Sequence, residues 1–518
     1  MMPSFGTPKF SFDGLFTLEM ANNHQGSLEH GKRIIREAAA AVKEHGVRAA
    51  VKLQLRDLDS FIHPAFRERK EVKHIPRFLS TRLSRDEFRE LVEETRRAGL
   101  YTMATPFDEP SVDFLNSLGV EIVKVASCSA TDWPLLEKIA GVGKPVIVSV
   151  GGLSIKEVDK VVSFFEHRGV HFALMHCVAI YPTPSDKFSL DFIETLRNRY
   201  PHLTIGFSTH EAPNDTGAVG MAYAKGARIF EKHIGVPTEK ITLNAYSANP
   251  QELRLWLAAY KNAVAACGGS GRPVTDAERA DLQSLKRCVF AKVPIRKGEK
   301  ISREQVFFAM PLVSPEHLTS GEFRAGAIAD RDYAEGEALA GALAVRGFSK
   351  RDAIYEAVRE AKAMLNTAKI PLSHDFTVEV SHHYGLQKFK EVGCIILDCI
   401  NREYARKLIV QFHGQYHPVH YHKVKDESFH VLAGTVEMDV EGKKKMLYPG
   451  DTLWMPRGVW HGFRTDTGVI FEEISTTSLE TQGDSYYIDK TISAMPRPER
   501  KTKLLNWGRH QFDEVEKG

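Results

Sequence analysis

The sequence predicts an α/β chain in three parts: a (β/α)8 barrel over residues 1–271, a small α+β domain over 287–348, and an all-β barrel or sandwich over 370–518. Three observations predict it. Eight short β-branched runs alternate with helix-like runs through the first half, the rhythm of a barrel of parallel strands. A break, Gly268-Gly269-Ser270-Gly271-Arg272-Pro273, ends that alternation, as clustered Gly and Pro do. From Ile370 onward, polar and apolar residues alternate between frequent turns, the pattern of antiparallel sheet. A chain of 518 residues is in any case too long for one hydrophobic core.

The predicted barrel strands are Leu15–Ala21, Ala49–Leu55, Tyr101–Phe107, Ile122–Ser127, Pro145–Gly151, Phe172–Val178, Thr204–His210 and Arg228–Ile234. Ser84 with Glu87, and Ser154 with Glu157, have the capping-box spacing and open two of the intervening helices. A doubly wound open sheet would carry a Gly-rich phosphate loop after its first strand. Here that strand runs into Glu19-Met20-Ala21-Asn22-Asn23-His24-Gln25-Gly26 instead. Asp276–Lys286 reads as a polar helical linker. The second block is turn-rich, with Ile295-Arg296-Lys297-Gly298-Glu299 and Ala334-Glu335-Gly336-Glu337 as paired tight turns. Asp352–Thr367 reads as an isolated amphipathic helix, a second linker.

Charge and composition exclude several classes. The 69 basic and 66 acidic side chains give a net charge of +3, which argues against nucleic acid or a membrane surface as the main partner. No apolar run is long enough to span a bilayer, and Met1 to Asp13 has no secretory pattern. The six cysteines lack paired spacing, which fits a reducing compartment. The expectation is a cytoplasmic enzyme.

Active sites of such barrels lie at the C-terminal ends of the strands. The polar residues there are Glu19 and Asn23, Lys52 and Gln54, Lys124 and Ser127, Ser149, Ser208 and His210, and Glu231 and His233. Alternation places Lys52 with Gln54, Ser208 with His210, and Glu231 with His233, each pair on one face; Lys232 points the other way. Charges inside a barrel are costly unless paired or bound to a ligand. His210 and His233 close neighbouring strands, roughly 4.8 Å apart, so their imidazoles can converge on one divalent ion. Lys52 and Lys124 suit the phosphate and carboxylate of one small ligand. A Schiff-base aldolase with one buried lysine as nucleophile is the competing reading, and it has no need of the His pair.

These residues, in this order, resemble the sialic acid synthase family. The pieces are Leu18 to Ser27, Val51-Lys52-Leu53-Gln54, Lys124-Val125-Ala126-Ser127, His176 to Pro182, Gly206-Phe207-Ser208-Thr209-His210 and Glu231-Lys232-His233. The resemblance covers the barrel and the second block, which looks like the family's antifreeze-like (SAF) domain. It implies phosphoenolpyruvate and a sugar aldehyde as substrates, a 3-deoxy-2-ulosonic acid as product, and a domain-swapped homodimer. By position, Lys52, Gln54, Lys124, Ser127, Ser149 and Ser208 look like phosphoenolpyruvate contacts. His210 and His233 look like ligands of a divalent metal, Mn²⁺ by the resemblance, with Mg²⁺ or Co²⁺ as alternatives. Glu19 looks like the carboxylate beside the reacting carbons, and Tyr181 and Asn244 fall on the sugar side. Four positions depart from the family pattern: Ser129 for Glu, Ala179 for Asn, Asn244 for Asp, and Met310 for Arg. All fall on the sugar side, so the expected acceptor is not N-acetylmannosamine. A chain that has lost synthase activity and only binds sugar is the alternative.

The last block carries His420-Tyr421-His422, four residues, Glu427, six residues, Gly434. Pro449-Gly450-Asp451, Pro456, Gly458 and His461 follow. Both motifs resemble those of the cupin superfamily. His420 and His422 share a strand face, and with Glu427 and His461 they can hold one divalent metal of open identity. His417, His430 and Lys425 read as neighbours of those ligands or as surface. A metal cupin need not be an enzyme. It can isomerise or bind a sugar, with Glu472 or Glu473 as base, or only support a dimer.

Overall fold

The computed structural model describes residues 10–69, 71–208, 210–269, 271–343, 349–476 and 483–508. Thr209, Ser270, residues 344–348 at the end of the second predicted domain, and residues 509–518 lie outside the described residues. The chain divides into two compact units, Met1–Pro273 and Val274–Gly518. Among the described residues no helix is long and apolar enough to cross a membrane, and all six cysteines are unpaired.

The first unit is a closed barrel of eight parallel strands in sequence order. They are β1 (Leu15–Glu19), β2 (Arg48–Leu55), β3 (Tyr101–Pro106), β4 (Ile122–Val125), β5 (Val146–Ser149), β6 (Phe172–Cys177), β7 (Ile205–Ser208) and β8 (Ile229–His233). All eight predicted strands are present, most of them trimmed at one or both ends. Ser127 sits not in β4 but at the start of a 3-10 turn, Ser127–Ser129. The strands fill two cores by alternation. Leu15, Ala50, Met103, Ile122, Ile147, Ala173, Met175 and Ile229 form one. Phe16, Leu18, Val51, Leu53, Val123, Val125, Val146, Val148 and Phe230 pack in a second, with the helices. Both capping boxes form: Glu87 accepts from Ser84 N–H, and Glu157 from Ser154 N–H. Gly206 is required in β7, because a Cβ there would lie 2.8 Å from Ile229 Cβ.

In the second unit, β9 (Cys288–Ala291) and β10 (Val306–Ala309) pair antiparallel. They pack in a small core with Ile295, Ile301, Leu318 and Tyr333. The two tight turns form as expected: Gly298 and Gly336 each take a φ of +80°, and Glu299 and Glu337 cap them through Arg296 N–H and Ala334 N–H.

The remainder is two antiparallel sheets. One has the order β18 (Thr452–Met455), β15 (Glu427–Gly434), β20 (Val469–Thr476), β13 (Tyr404–Gln411), β12 (Cys394–Asn401), β11 (Thr377–Ser381), β22 (Lys501–Leu505), and the other β17 (Lys443–Leu447), β16 (Val436–Val440), β19 (His461–Arg464), β14 (Tyr416–His422), β21 (Ser485–Tyr487). The strands that matter for function are β13 (Tyr404–Gln411), β14 (Tyr416–His422), β15 (Glu427–Gly434), β19 (His461–Arg464) and β20 (Val469–Thr476). One expectation fails. The helix Lys350–Thr367 is not an isolated linker, because Ile354, Ala357, Val358, Ala361 and Leu365 pack in one core with Val378, Ile395, Leu408 and Val410 of the sheet. An amphipathic stripe beside a turn-rich stretch reads as a connector when its partner surface lies far along the chain.

Candidate active site and candidate metal centre

Lys52 is the hub of the barrel mouth. Its Nζ lies 2.5 Å from Glu19 Oε2 and 2.8 Å from Glu231 Oε1, with all three side chains buried. Register explains the meeting: Glu19 is paired with Lys52 on one side and with His233 on the other. Burial opposes the lysine charge, but Glu19 and Glu231 outweigh it and raise the Lys52 pKa. Lys124 has the opposite balance. Burial, aided by Lys52, lowers its pKa although Glu231 pulls it up. Its Nζ donates to Ser149 Oγ at 2.6 Å and lies 3.7 Å from Glu231 Oε2. Burial works against the Glu231 carboxylate, but Lys124 and Lys52 hold its pKa well below the usual range. Ser208 Oγ also donates to it, at 3.1 Å.

Glu19 accepts from Ala21 N–H at 2.6 Å and from Gln54 Nε2 at 3.4 Å. Asn23 does not face the site with it. Its amide ties the first loop to β8, donating to Ile234 O and Ser247 Oγ. Ser127 Oγ accepts from Gly151 N–H at 3.0 Å, beside the end of β5. Lys232 points outward as expected, into a buried pair with Glu211 at 3.0 Å.

His210 and His233 meet, their ring centroids 5.2 Å apart. Burial pushes both down to about 3, helped by His233 in one case and Lys52 in the other. Neutral imidazoles are what a metal needs. His210 Nδ1–H donates to Val178 O at 3.0 Å, which leaves Nε2 as a lone-pair donor. His233 Nδ1 is shut off from solvent with no hydrogen-bond partner. The pair therefore fits a divalent ion. Tyr181 lies over His210 at 4.0 Å. Asn244 is exposed, and its Oδ1 accepts from Tyr246 N–H. That turn brings the Tyr246 ring to 5.7 Å from His210 and 5.1 Å from His233. Sequence reasoning missed Tyr246, which follows the last strand with no periodicity to mark it.

The second centre draws on both sheets of the C-terminal region. His420 and His422 on β14 and His461 on β19 come from one, Glu427 on β15 from the other. The ligand atoms of the three histidines lie within 4.8 Å of one another. Each Nδ1 donates to a carbonyl: His420 to Pro418, His422 to Asp484, His461 to Val459. All three Nε2 atoms are left as lone-pair donors. Glu427 Oε1 lies 3.3 Å from His422 Nε2, and Oε2 lies 3.1 Å from His461 Nε2. Neither Glu427 Oε2 nor His461 Nε2 has a hydrogen-bond partner. Buried polar atoms without partners are rare, and this set fits a divalent metal. Lys425 is not surface. It is buried, ion-paired to Glu427 and 3.0 Å from Glu473 Oε1. Of the two candidate bases, Glu473 is inside, while Glu472 pairs with Arg406 at 2.5 Å.

Comparison with known proteins finds a family match in each of the two regions. The NeuB family model matches residues 37–272, and a cupin domain model matches residues 408–473. The chain is 30% identical to the human N-acetylneuraminate-9-phosphate synthase over 56% of itself and 80% of that protein. It is 26% identical to the N,N'-diacetyllegionaminic acid synthase of Campylobacter jejuni, over 62% of itself and 97% of that protein. A solved structure of a Chromobacterium violaceum protein assigned to spore coat polysaccharide biosynthesis is 44% identical. It superposes with a TM-score of 0.60 over 64% of this chain and 98% of that one.

Proposed function

The chain belongs to the NeuB family of sialic acid synthases, and we propose that its barrel condenses phosphoenolpyruvate with a sugar aldehyde to give a 3-deoxy-2-ulosonic acid and phosphate. The observation that carries this reading is the buried network of Lys52, Lys124, Glu231 and Glu19 beside His210 and His233. Lys52 and Lys124, with Gln54, Ser127, Ser149 and Ser208, hold the phosphate and carboxylate of phosphoenolpyruvate. Its C3 forms a bond to the aldehyde carbon, whose oxygen takes a proton. Water adds at C2 and gives one proton to Glu19; the second passes to the departing phosphate as the C2–O bond breaks and the C2 carbonyl forms. Preorganised lysines offset the charge that develops. A divalent ion held by His210 and His233 supplies polarisation of the aldehyde when bound. Tyr181 and Tyr246 wall the acceptor side. A Schiff-base route through Lys52 is disfavoured, because two carboxylates keep its amine charged. The small domain over 287–348 acts across a homodimer.

The C-terminal centre holds a second divalent ion through His420, His422, His461 and Glu427, and isomerises or binds a sugar, with Glu473 as base. The buried pair of Glu473 and Lys425 favours this over a purely structural role.

The test is phosphate release from phosphoenolpyruvate with Mn²⁺ across aldoses and N-acetylhexosamines, alongside His233→Ala. Release that needs one sugar and His233 is expected. No release from folded, metal-loaded protein refutes the barrel reading. A His422→Ala variant with every sugar conversion unchanged refutes the second.

A further inference from the structure

Arg56 is a charge at the barrel mouth that the proposed chemistry does not use. It follows β2 directly, in step with Lys52 and Gln54 by alternation. Its Nη1 donates to Gln54 Oε1 at 3.0 Å, and Gln54 in turn reaches Glu19. The guanidinium carbon stands 3.6 Å from the centre of the Phe107 ring and 4.2 Å from that of Phe78. Its Nε is closed off from solvent and has no hydrogen-bond partner. Among the described residues no carboxylate is paired with it, and Glu19 and Asp108 act only from longer range. Burial pulls its pKa down to about 10, so it is held charged in a place that disfavours charge.

A half-buried cation without an acid is costly. Aromatic rings return only part of that cost. A guanidinium carbon close over two ring faces, with Nη1 on Gln54 and no carboxylate paired, is suited to a carboxylate or phosphate, to which a guanidinium donates charge-assisted N–H bonds. The Arg56 backbone lies roughly 13 Å beyond that of Lys52 along the strand direction. The inner lysines therefore serve one anion and Arg56 a second, further out.

We propose that Arg56 is a specificity residue of the barrel, and that the aldehyde acceptor carries a carboxylate or phosphate at the end remote from its carbonyl. This rests on the condensing reading above and deepens it.

The test uses the full chain, loaded with Mn²⁺ and saturated with phosphoenolpyruvate. Calorimetric titration compares hexose 6-phosphates, N-acetylhexosamine 6-phosphates and hexuronic acids with their neutral parents. At least one anionic sugar is expected to bind roughly tenfold to a hundredfold tighter than its parent, the range of a charge-assisted hydrogen bond. Arg56→Met is expected to erase that difference and leave phosphoenolpyruvate affinity within about twofold, with Arg56→Lys restoring part of it. No preference for anionic sugars, or an equal preference in Arg56→Met, overturns the proposal. So does a variant that loses phosphoenolpyruvate instead, which would assign the arginine to that substrate. A purely structural arginine would show as a lowered melting temperature with sugar discrimination intact. Phosphate release in the same mixtures reports on condensation separately. Anion preference without release removes the condensing reading and keeps the subsite; release with neutral and anionic sugars alike does the reverse.

Discussion

The barrel mouth and the C-terminal centre both gather buried histidines, but they treat charge in opposite ways. In the barrel two imidazoles stand at the edge of a network in which Lys52, Lys124 and Arg56 outnumber Glu19 and Glu231. In the C-terminal centre three imidazoles and Glu427 converge on one point, and Lys425 and Glu473 lie behind Glu427. The first arrangement leaves a surplus of positive charge at the barrel mouth. The second supplies a nearly complete set of metal ligands from the protein itself. A shared residue type therefore stands in two settings: beside a surplus of positive charge in the barrel, and converging with one carboxylate in the second centre.

That contrast can be broken most sharply at His233. Its change to alanine should lower phosphate release by about a hundredfold or more, while metal bound at the C-terminal centre stays unchanged. Equal loss at both sites would mean that the two do not work independently. Glu231→Gln comes next. It leaves Lys52 and Lys124 short of a shared partner, and breaking a buried pair costs about 3–5 kcal/mol. A clear fall in the melting temperature of the barrel is expected; no fall would show the network to be wetter and weaker than its burial suggests. Asp484→Ala should act on the other site alone. Its carboxylate accepts from the N–H groups of Lys423, Val424 and Lys425, fixing the turn between β14 and β15. Loss of such support typically weakens metal binding about 10- to 100-fold, readable by competition with a chelator, with phosphate release unchanged.

The smallest effect is one of pH. Burial, with Arg77 nearby, pushes His24 down to about 4 from 6.5, and its Nδ1 accepts from Gly26 N–H. Between those values the unfolded chain binds a proton that the folded barrel does not. Stability from this group is therefore complete above about 6.5 and is lost as pH falls toward 4. Among several buried histidines that act this way, His24→Gln should reduce the slope of denaturant titrations over that range by at most one proton. An unchanged slope would place the proton elsewhere.

The barrel was legible because its strands are buried on both faces and its helices are capped by Ser and Glu at fixed spacing. Two-residue alternation also placed Lys52 with Gln54, and Glu231 with His233, before any contact was seen. It could not rank them. Glu231 was visible as one of several polar strand ends, and only closure of the barrel made it the partner of both lysines. Arg56 was invisible as a site because its aromatic clamp comes from Phe78 and Phe107, each more than twenty residues away. In the last block the motif spacing picked out His420, His422, His461 and Glu427, which the fold brings together. It gave no depth for Lys425, which depends on Glu473 from β20.

The sequence by itself determined the strand order, the helix starts and the two sets of histidines, because these follow from local periodicity and short spacing. The tertiary structure alone decided which charges share a partner and which have none. That is a matter of distances between residues far apart in the chain, and it also set the helix Lys350–Thr367 into a core that its own sequence does not name.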